Sequence, residues 1–130
     1  MSEGWLADAC ALIVFHADNG RGMGAEALAA MRGGDVAVSA ITVWEITKKV
    51  SAGRLAALPM GRDGSFTAWL RERGYRLLPV EAAMAERANA LPPHHADPMD
   101  RMLIATAELS GRRIISSDRA FAAYGVAAAW

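Results

Sequence analysis

Short strand-like segments alternate with longer helical segments along the whole chain of 130 residues. Parallel strands need a helical crossover between them, so this alternation is typical of a parallel sheet with helices on both faces. The strand-like segments are residues 5–7, 36–38, 76–80, 113–116 and 125–130. We therefore predict an α/β fold, a three-layer sandwich with a central, mainly parallel sheet of about five strands.

The helical segments end at residues that stop helices. Gly53, Gly74 and Gly111 follow three of them, and Asp97-Pro98 is a typical start for the longest. The predicted helices are residues 9–17, 25–31, 42–52, 65–73, 81–91 and 97–110, with a helical turn at 120–124. No repeat, low-complexity tract or linker interrupts them, so we expect a single domain over residues 1–130.

Composition narrows the class of protein. Hydrophobic residues make up 53% of the chain, which is typical of a globular domain. No apolar run is long enough to span a bilayer, and Met1-Ser-Glu3 lacks the basic leader of a secretory signal. The single Cys10 allows no internal disulfide, which suits a reducing compartment. We expect a cytoplasmic protein without a membrane partner.

The zero net charge is compatible with an acidic site and a positive surface around it. The chain has 14 acidic residues and 14 Lys and Arg residues. If four acids are pooled in one metal site, ten acids are left against 14 bases, a balance of +4 over the rest of the surface. Such a surface would help to hold a polyanion beside an acidic pocket.

Four acidic residues follow strands or begin helices, where an α/β fold collects ligands. Asp8 follows the first strand, Asp118 follows the fourth, Glu45 lies in the helix after the second, and Asp100 lies in the first turn of its helix. Clustered like charges are unfavourable unless a cation binds among them. Oxygen-only ligands favour Mg²⁺ or Mn²⁺, whose usual work is phosphate chemistry.

Each acid also has a structural explanation. Asp8, Asp97 and Asp118 each precede a helical segment, where a carboxylate caps the exposed N–H groups. Asp100 is favoured in a first turn by the helix dipole. However, it shares a helix face with Leu103 and Ile104, and a carboxylate on an inward face needs a partner.

Glu45 has two structural alternatives to a metal site. Thr42-Val-Trp-Glu45 matches a capping box, in which the Glu side chain reaches back to the N-cap amide. Glu45 also precedes Lys49 by four residues, the favourable order for a helical ion pair. The residues alone leave these explanations open.

Together the acids form a family pattern. The segments that carry it are residues 6–13, 38–55, 95–105, 114–121 and 124–130. The most specific is His95-Ala-Asp-Pro-Met-Asp-Arg-Met-Leu-Ile-Ala105. In these segments the chain resembles the PIN-domain ribonucleases and, within them, the VapC-type toxins of bacterial toxin–antitoxin pairs. The resemblance implies a PIN-like sandwich and metal-dependent cleavage of RNA.

The resemblance also assigns roles to residues. It implies that four acids bind Mg²⁺ or Mn²⁺ and carry the catalysis: Asp8, Glu45, Asp100 and Asp118. Supporting roles in positioning ligands or the RNA backbone fall to Asp97, Ser117, Arg101, Lys48, Lys49 and Arg54. One departure is Ala9, which stands where many relatives carry Thr or Ser and so removes a hydroxyl that orients a ligand or water.

Partners follow from the same resemblance. Family members typically form homodimers and are inhibited by a cognate antitoxin that lies across the active-site groove. An alternative is a non-catalytic PIN-like module that binds RNA or protein, although a binder gains little from negative charge near RNA. A phosphatase is a weaker alternative, because Asp8-Ala-Cys10 lacks the Asp-x-Asp spacing of the aspartyl-phosphate enzymes.

Overall fold

The computed structural model describes residues 4–55, 64–94 and 96–130, so His95 lies outside the described residues. Within these ranges five strands form one sheet in the order β3-β2-β1-β4-β5. All neighbouring pairs are parallel, which confirms the predicted α/β sheet. The strands are β1 (Trp5–Ala7), β2 (Val36–Ser39), β3 (Arg76–Leu78), β4 (Arg113–Ile115) and β5 (Ala128–Ala129).

The helices lie where the sequence predicts them, with small differences at their ends. They are α1 (Ala9–Ala17), α2 (Ala25–Gly33), α3 (Ala40–Ser51), α4 (Phe66–Glu72), α5 (Ala82–Ala90), α6 (Pro98–Ser110) and a 3₁₀ helix (Arg119–Tyr124). Gly111 ends α6 in the left-handed conformation, at φ 67°, as its position predicts. None of the described helices has the length and apolar character needed to cross a membrane.

The start of α3 differs from the prediction. Ser39 is the N-cap, and its hydroxyl accepts a hydrogen bond from the N–H of Ile41 at 3.1 Å. Thr42 lies inside the helix and is buried. The predicted capping box over Thr42 and Glu45 is therefore wrong, because the strand ends in a better cap three residues earlier.

Apolar side chains pack on both faces of the sheet. In β1, Trp5 and Ala7 belong to one buried cluster and Leu6 to the other, as expected when successive side chains point to opposite faces. Adjacent Ile114 and Ile115 in β4 divide in the same way. Helices therefore cover both faces, and the functional side chains are left to the edge where the strands end.

Candidate active site

A pocket of about 350 Å³ lies beyond the carboxyl ends of β1 and β4. It brings together all five acids that the sequence singles out: Asp8, Glu45, Asp97, Asp100 and Asp118. They come from α3, α6 and the residues that precede α1, α6 and the 3₁₀ helix. We call this the acidic pocket. Lys49, Ser116 and Ser117 also line it.

Asp8 is the most buried of these acids, with 7% of its surface exposed. It caps α1, since its Oδ1 accepts a hydrogen bond from the N–H of Ala11 at 2.8 Å. Burial raises the pKa of Asp8, against the opposing hydrogen bonds from Ser116 and Ala11. The charges of Glu45 and Asp118 raise that pKa as well. Two carboxylates in the pocket therefore repel the Asp8 carboxylate, and a cation would relieve this repulsion.

Two further acids combine capping with a place in the pocket. Asp97 Oδ1 accepts from the N–H of Met99, and Asp118 Oδ1 accepts from the N–H of Ala120, both at 2.9 Å. The predicted caps are confirmed. A carboxylate has two oxygens with several lone pairs, so capping by one oxygen is compatible with ligand binding by the other.

Glu45 forms the ion pair that its spacing predicts. Lys49 Nζ lies 3.2 Å from Glu45 Oε2, with 40% of the Lys49 side chain and 22% of the Glu45 side chain exposed. Both residues line the acidic pocket. The pocket therefore contains a cation of its own beside the acids.

The donor chemistry of the pocket fits a hard divalent cation, because the acids offer only oxygen ligands. Among the described residues, no three His, Cys, Asp or Glu side chains already stand in a geometry that would hold a metal ion. The carboxylates share one pocket, and Asp8 lies within the charge field of Glu45 and Asp118. The residues fit the ion in chemistry and in location.

Comparison with known families decides the classification. The sequence matches the PIN-domain profile over residues 6–127, which is nearly the whole chain. The chain belongs to the PIN-domain family. This confirms the resemblance that the acidic segments carry. Comparison with curated protein sequences gives no match.

Solved structures share the fold of this PIN domain. A toxin–antitoxin complex from Klebsiella pneumoniae aligns with a TM-score of 0.61 and 21% identity, over 90% of this chain and 89% of that chain. FitAcB from Neisseria gonorrhoeae aligns with a TM-score of 0.63 and 19% identity, over 97% and 96%. VapBC2 from Rickettsia felis, bound to a promoter DNA fragment, aligns with a TM-score of 0.64 and 8% identity, over 96% of both chains. At these identities the likeness shows the fold.

The basic residues of this PIN domain divide between the pocket and the rest of the surface. Lys49 lines the acidic pocket, whereas Arg54 is exposed beyond the end of α3 and does not line it. Lys48 Nζ lies 4.7 Å from the ring centroid of Trp44. Arg101 donates to the carbonyl oxygens of Leu91 and Pro92, at 2.8 and 3.0 Å. Arg101 therefore fixes the segment that leads into α6, and it does not line the acidic pocket.

Ser116 is a polar pocket residue that the sequence did not single out. It is buried, its hydroxyl hydrogen-bonds to Asp8, and its Oγ accepts from the N–H of Asp118 at 3.0 Å. The predicted Ser117 also lines the pocket but is exposed, with its Oγ 3.7 Å from Cys10 Sγ. Both serines follow the end of β4 outside regular secondary structure, so no strand period in the sequence shows which of the two supports the acids.

Proposed function

We propose that this PIN domain is a Mg²⁺- or Mn²⁺-dependent endoribonuclease that acts as the toxin of a toxin–antitoxin pair. The observation that carries the proposal is the acidic pocket, in which buried Asp8 faces the charges of Glu45 and Asp118. Gathering acids is unfavourable for folding and of no use for binding RNA directly. It is useful when a divalent cation joins the acids to a phosphodiester.

Each pocket residue has a role in this proposal. The cation would be held by Asp8, Glu45, Asp100 and Asp118. When bound, a divalent ion supplies the positive charge that attracts the scissile phosphate and favours ionisation of the attacking water. The chain's own contribution is positioning, because Ser116 and the N–H of Ala11 fix the Asp8 carboxylate. Lys49 offers an ammonium to the RNA backbone at the mouth of the pocket.

The toxin role draws support from the structural neighbours and from the surface. One neighbour is a chain of a toxin–antitoxin complex, aligned over 89% of its own length, which suggests a comparable partner for this chain. Trp44 and Leu109 leave 50% and 53% of their surfaces exposed, and we propose that a protein partner covers them. We therefore propose that this protein forms a homodimer, binds a cognate antitoxin and acts in the cytoplasm.

Cleavage of a panel of structured and single-stranded RNAs tests the proposal. Purified protein is assayed with Mn²⁺, with Mg²⁺ and with EDTA, alongside Asp100→Asn. Glu86→Gln is the matched control, because Glu86 is exposed on α5 and does not line the pocket. We expect metal-dependent cleavage by the unchanged protein and by the control, and a loss of about 100-fold or more in Asp100→Asn, the order seen when one charge-stabilising group is removed.

Two results would contradict the proposal. Cleavage that persists in EDTA or in Asp100→Asn would place the chemistry elsewhere. RNA binding that is equal in both proteins, with no cleavage of any RNA, would support the binding-only module instead.

A further inference from the structure

A second cavity, of about 520 Å³, opens beside the acidic pocket. The two share Ser116, Ser117 and Asp118 as a common wall. The rest of the second cavity is lined by Arg119, Trp130 and small alanine side chains. We call it the flanking cavity. Its position means that a ligand in it would directly adjoin any group held by the acids.

The sheet register fixes Trp130 at this place. Ala129 of β5 pairs with Ile115 of β4, and the N–H of Ser116 donates to the carbonyl of Ala129 at 3.0 Å. Trp130 therefore leaves β5 where Ser116 leaves β4, at the same edge of the sheet. Its carbonyl packs against the start of α2, where a Cβ on Gly24 would lie only 2.5 Å from that oxygen. The backbone of Trp130 is thus held in place.

The lining of the flanking cavity suits a flat aromatic ligand that carries negative charge nearby. Trp130 is half-buried, packs against the apolar cluster that contains Trp5 and Ala7, and also lines the cavity. Arg119 is exposed and forms no ion pair with any other described residue. Its guanidinium is therefore available for a phosphate, which it can bind through two N–H groups. Nucleobases stack on such indole faces with little regard to sequence.

We infer that the flanking cavity is a nucleobase subsite, in which Trp130 stacks on the base next to the scissile phosphate and Arg119 contacts the adjoining phosphate. This inference rests on the proposed function and adds to it which part of the RNA the chain binds, namely one base and its adjoining phosphate. The cavity is within the usual size of small-ligand pockets, so one nucleotide fits without opening the fold. Trp130 and Arg119 are substrate-positioning residues in this scheme.

The test uses uncleavable 2′-O-methyl RNA octamers, each with one abasic position moved along the strand. Binding in the presence of Mg²⁺ is measured by fluorescence anisotropy for the unchanged protein, Trp130→Leu and Trp130→Phe. Leu fills much of the same volume without an aromatic face, whereas Phe keeps a face, and thermal melting confirms that each variant is folded. We expect Trp130→Leu to weaken binding of the intact octamer by about 5- to 150-fold, the range for one base–aromatic stack, and Trp130→Phe to restore most of it.

The abasic series shows whether the loss comes from stacking. At one position the missing base should weaken binding to the unchanged protein but cause no further loss in Trp130→Leu, because both changes remove the same contact. The inference is overturned if Trp130→Leu binds the intact octamer as the unchanged protein does. It is also overturned if its loss is the same at every abasic position, since that pattern indicates a structural effect.

The outcomes separate this inference from the proposed function. If the unchanged protein shows metal-dependent cleavage and Trp130→Leu binds the octamer equally well, only the subsite is overturned. If Trp130→Leu and the missing base at one position are coupled but no RNA is cleaved, the subsite is supported and the proposed nuclease activity is overturned. No octamer binding by the unchanged protein overturns the subsite. Loss of an antitoxin complex in Trp130→Leu, with RNA binding unchanged, would assign the cavity to a protein partner and overturn it too.

Discussion

Lys49 Nζ lies 3.2 Å from Glu45 Oε2, one turn apart on α3, and both side chains line the acidic pocket. A partly exposed pair of this kind contributes only about 0.3–0.5 kcal/mol to stability. Its importance is electrostatic, because the ammonium neutralises an acid that a divalent cation would also use. Lys49 and the ion would compete for Glu45.

Replacing Lys49 by Met should therefore tighten Mn²⁺ binding several-fold while weakening RNA binding. Removing one Lys–phosphate interaction should reduce the slope of log affinity against log salt by about 0.7 for a single strand. Calorimetry measures the first effect and anisotropy at several salt concentrations the second. Lys48→Met is the matched control for Mn²⁺ binding, since Lys48 lies over Trp44 and does not line the pocket. Weaker Mn²⁺ binding in Lys49→Met, or an equal change in the control, would contradict the competition.

Asp8→Asn should stabilise the metal-free protein at pH 7. Burial raises the pKa of Asp8 in the folded state, so the unfolded chain loses this proton first as pH rises and the ionised form costs stability. Asn also caps helices, so the hydrogen bond to Ala11 can persist without the charge. We expect a higher Tm than the unchanged protein at pH 7, with the gap closing as pH falls through the raised folded pKa and absent below the unfolded pKa of about 3.9. A lower Tm at pH 7, or a gap that persists at low pH, would argue against buried charge as the cause.

The start of α3 offers a matched pair of substitutions. Ser39→Ala removes the N-cap hydroxyl and should cost about 0.5–2 kcal/mol in the free energy of unfolding. Thr42→Val should be neutral or slightly stabilising, because Thr42 Oγ1 is buried without a hydrogen-bond partner among the described residues. Urea denaturation measures both. A larger loss in Thr42→Val than in Ser39→Ala would restore Thr42 as the cap.

His16 and Tyr75 should make stability depend on pH. His16 Nε2 lies 2.6 Å from the Tyr75 hydroxyl. Burial, and then the charge of Arg73, lower the pKa of His16, while burial raises the pKa of Tyr75 to about 12. As pH falls below about 6.5 the unfolded chain takes up the histidine proton first, so this contribution is complete above that value and is lost towards the lower folded pKa.

The histidine prediction can be checked in two ways. An NMR titration should show a His16 pKa below 6.5. Tyr75→Phe should cost about 1 kcal/mol in the free energy of unfolding at pH 7.5, the usual value of one hydrogen bond. If His16 titrates at or above the usual histidine value of about 6.5, burial does not control it.

The sequence predicted most of the fold because strand and helix signals alternate clearly. The helix α6 begins at Asp97-Pro98 and ends at Gly111. These residue types start and stop helices through their own side chains and backbone, so both ends can be predicted from neighbouring residues. The start of α3 was misplaced because Ser39 ends a strand and caps a helix at once. The sequence also has a cap motif at Thr42. Only the packing of the strand determines which of the two residues, Ser39 or Thr42, begins the helix.

The candidate site was predictable to the extent that acids following parallel strands share one edge. The structure brings Asp8, Glu45, Asp100 and Asp118 to one pocket, although they are spread over most of the sequence. The contacts of Arg101 with the carbonyls of Leu91 and Pro92 depend on how α5 and α6 pack, which sequence spacing does not encode.

The most direct measurement is Mn²⁺ binding by calorimetry to the unchanged protein, Asp100→Asn and the control Glu86→Gln. If the acids act together on one cation, the unchanged protein and Glu86→Gln bind Mn²⁺ alike. Asp100→Asn should then bind at least about 10-fold more weakly, the lower end of the losses seen for groups that support a metal site. Equal binding by all three proteins, or no binding by the unchanged protein, would contradict a divalent-metal site in the acidic pocket.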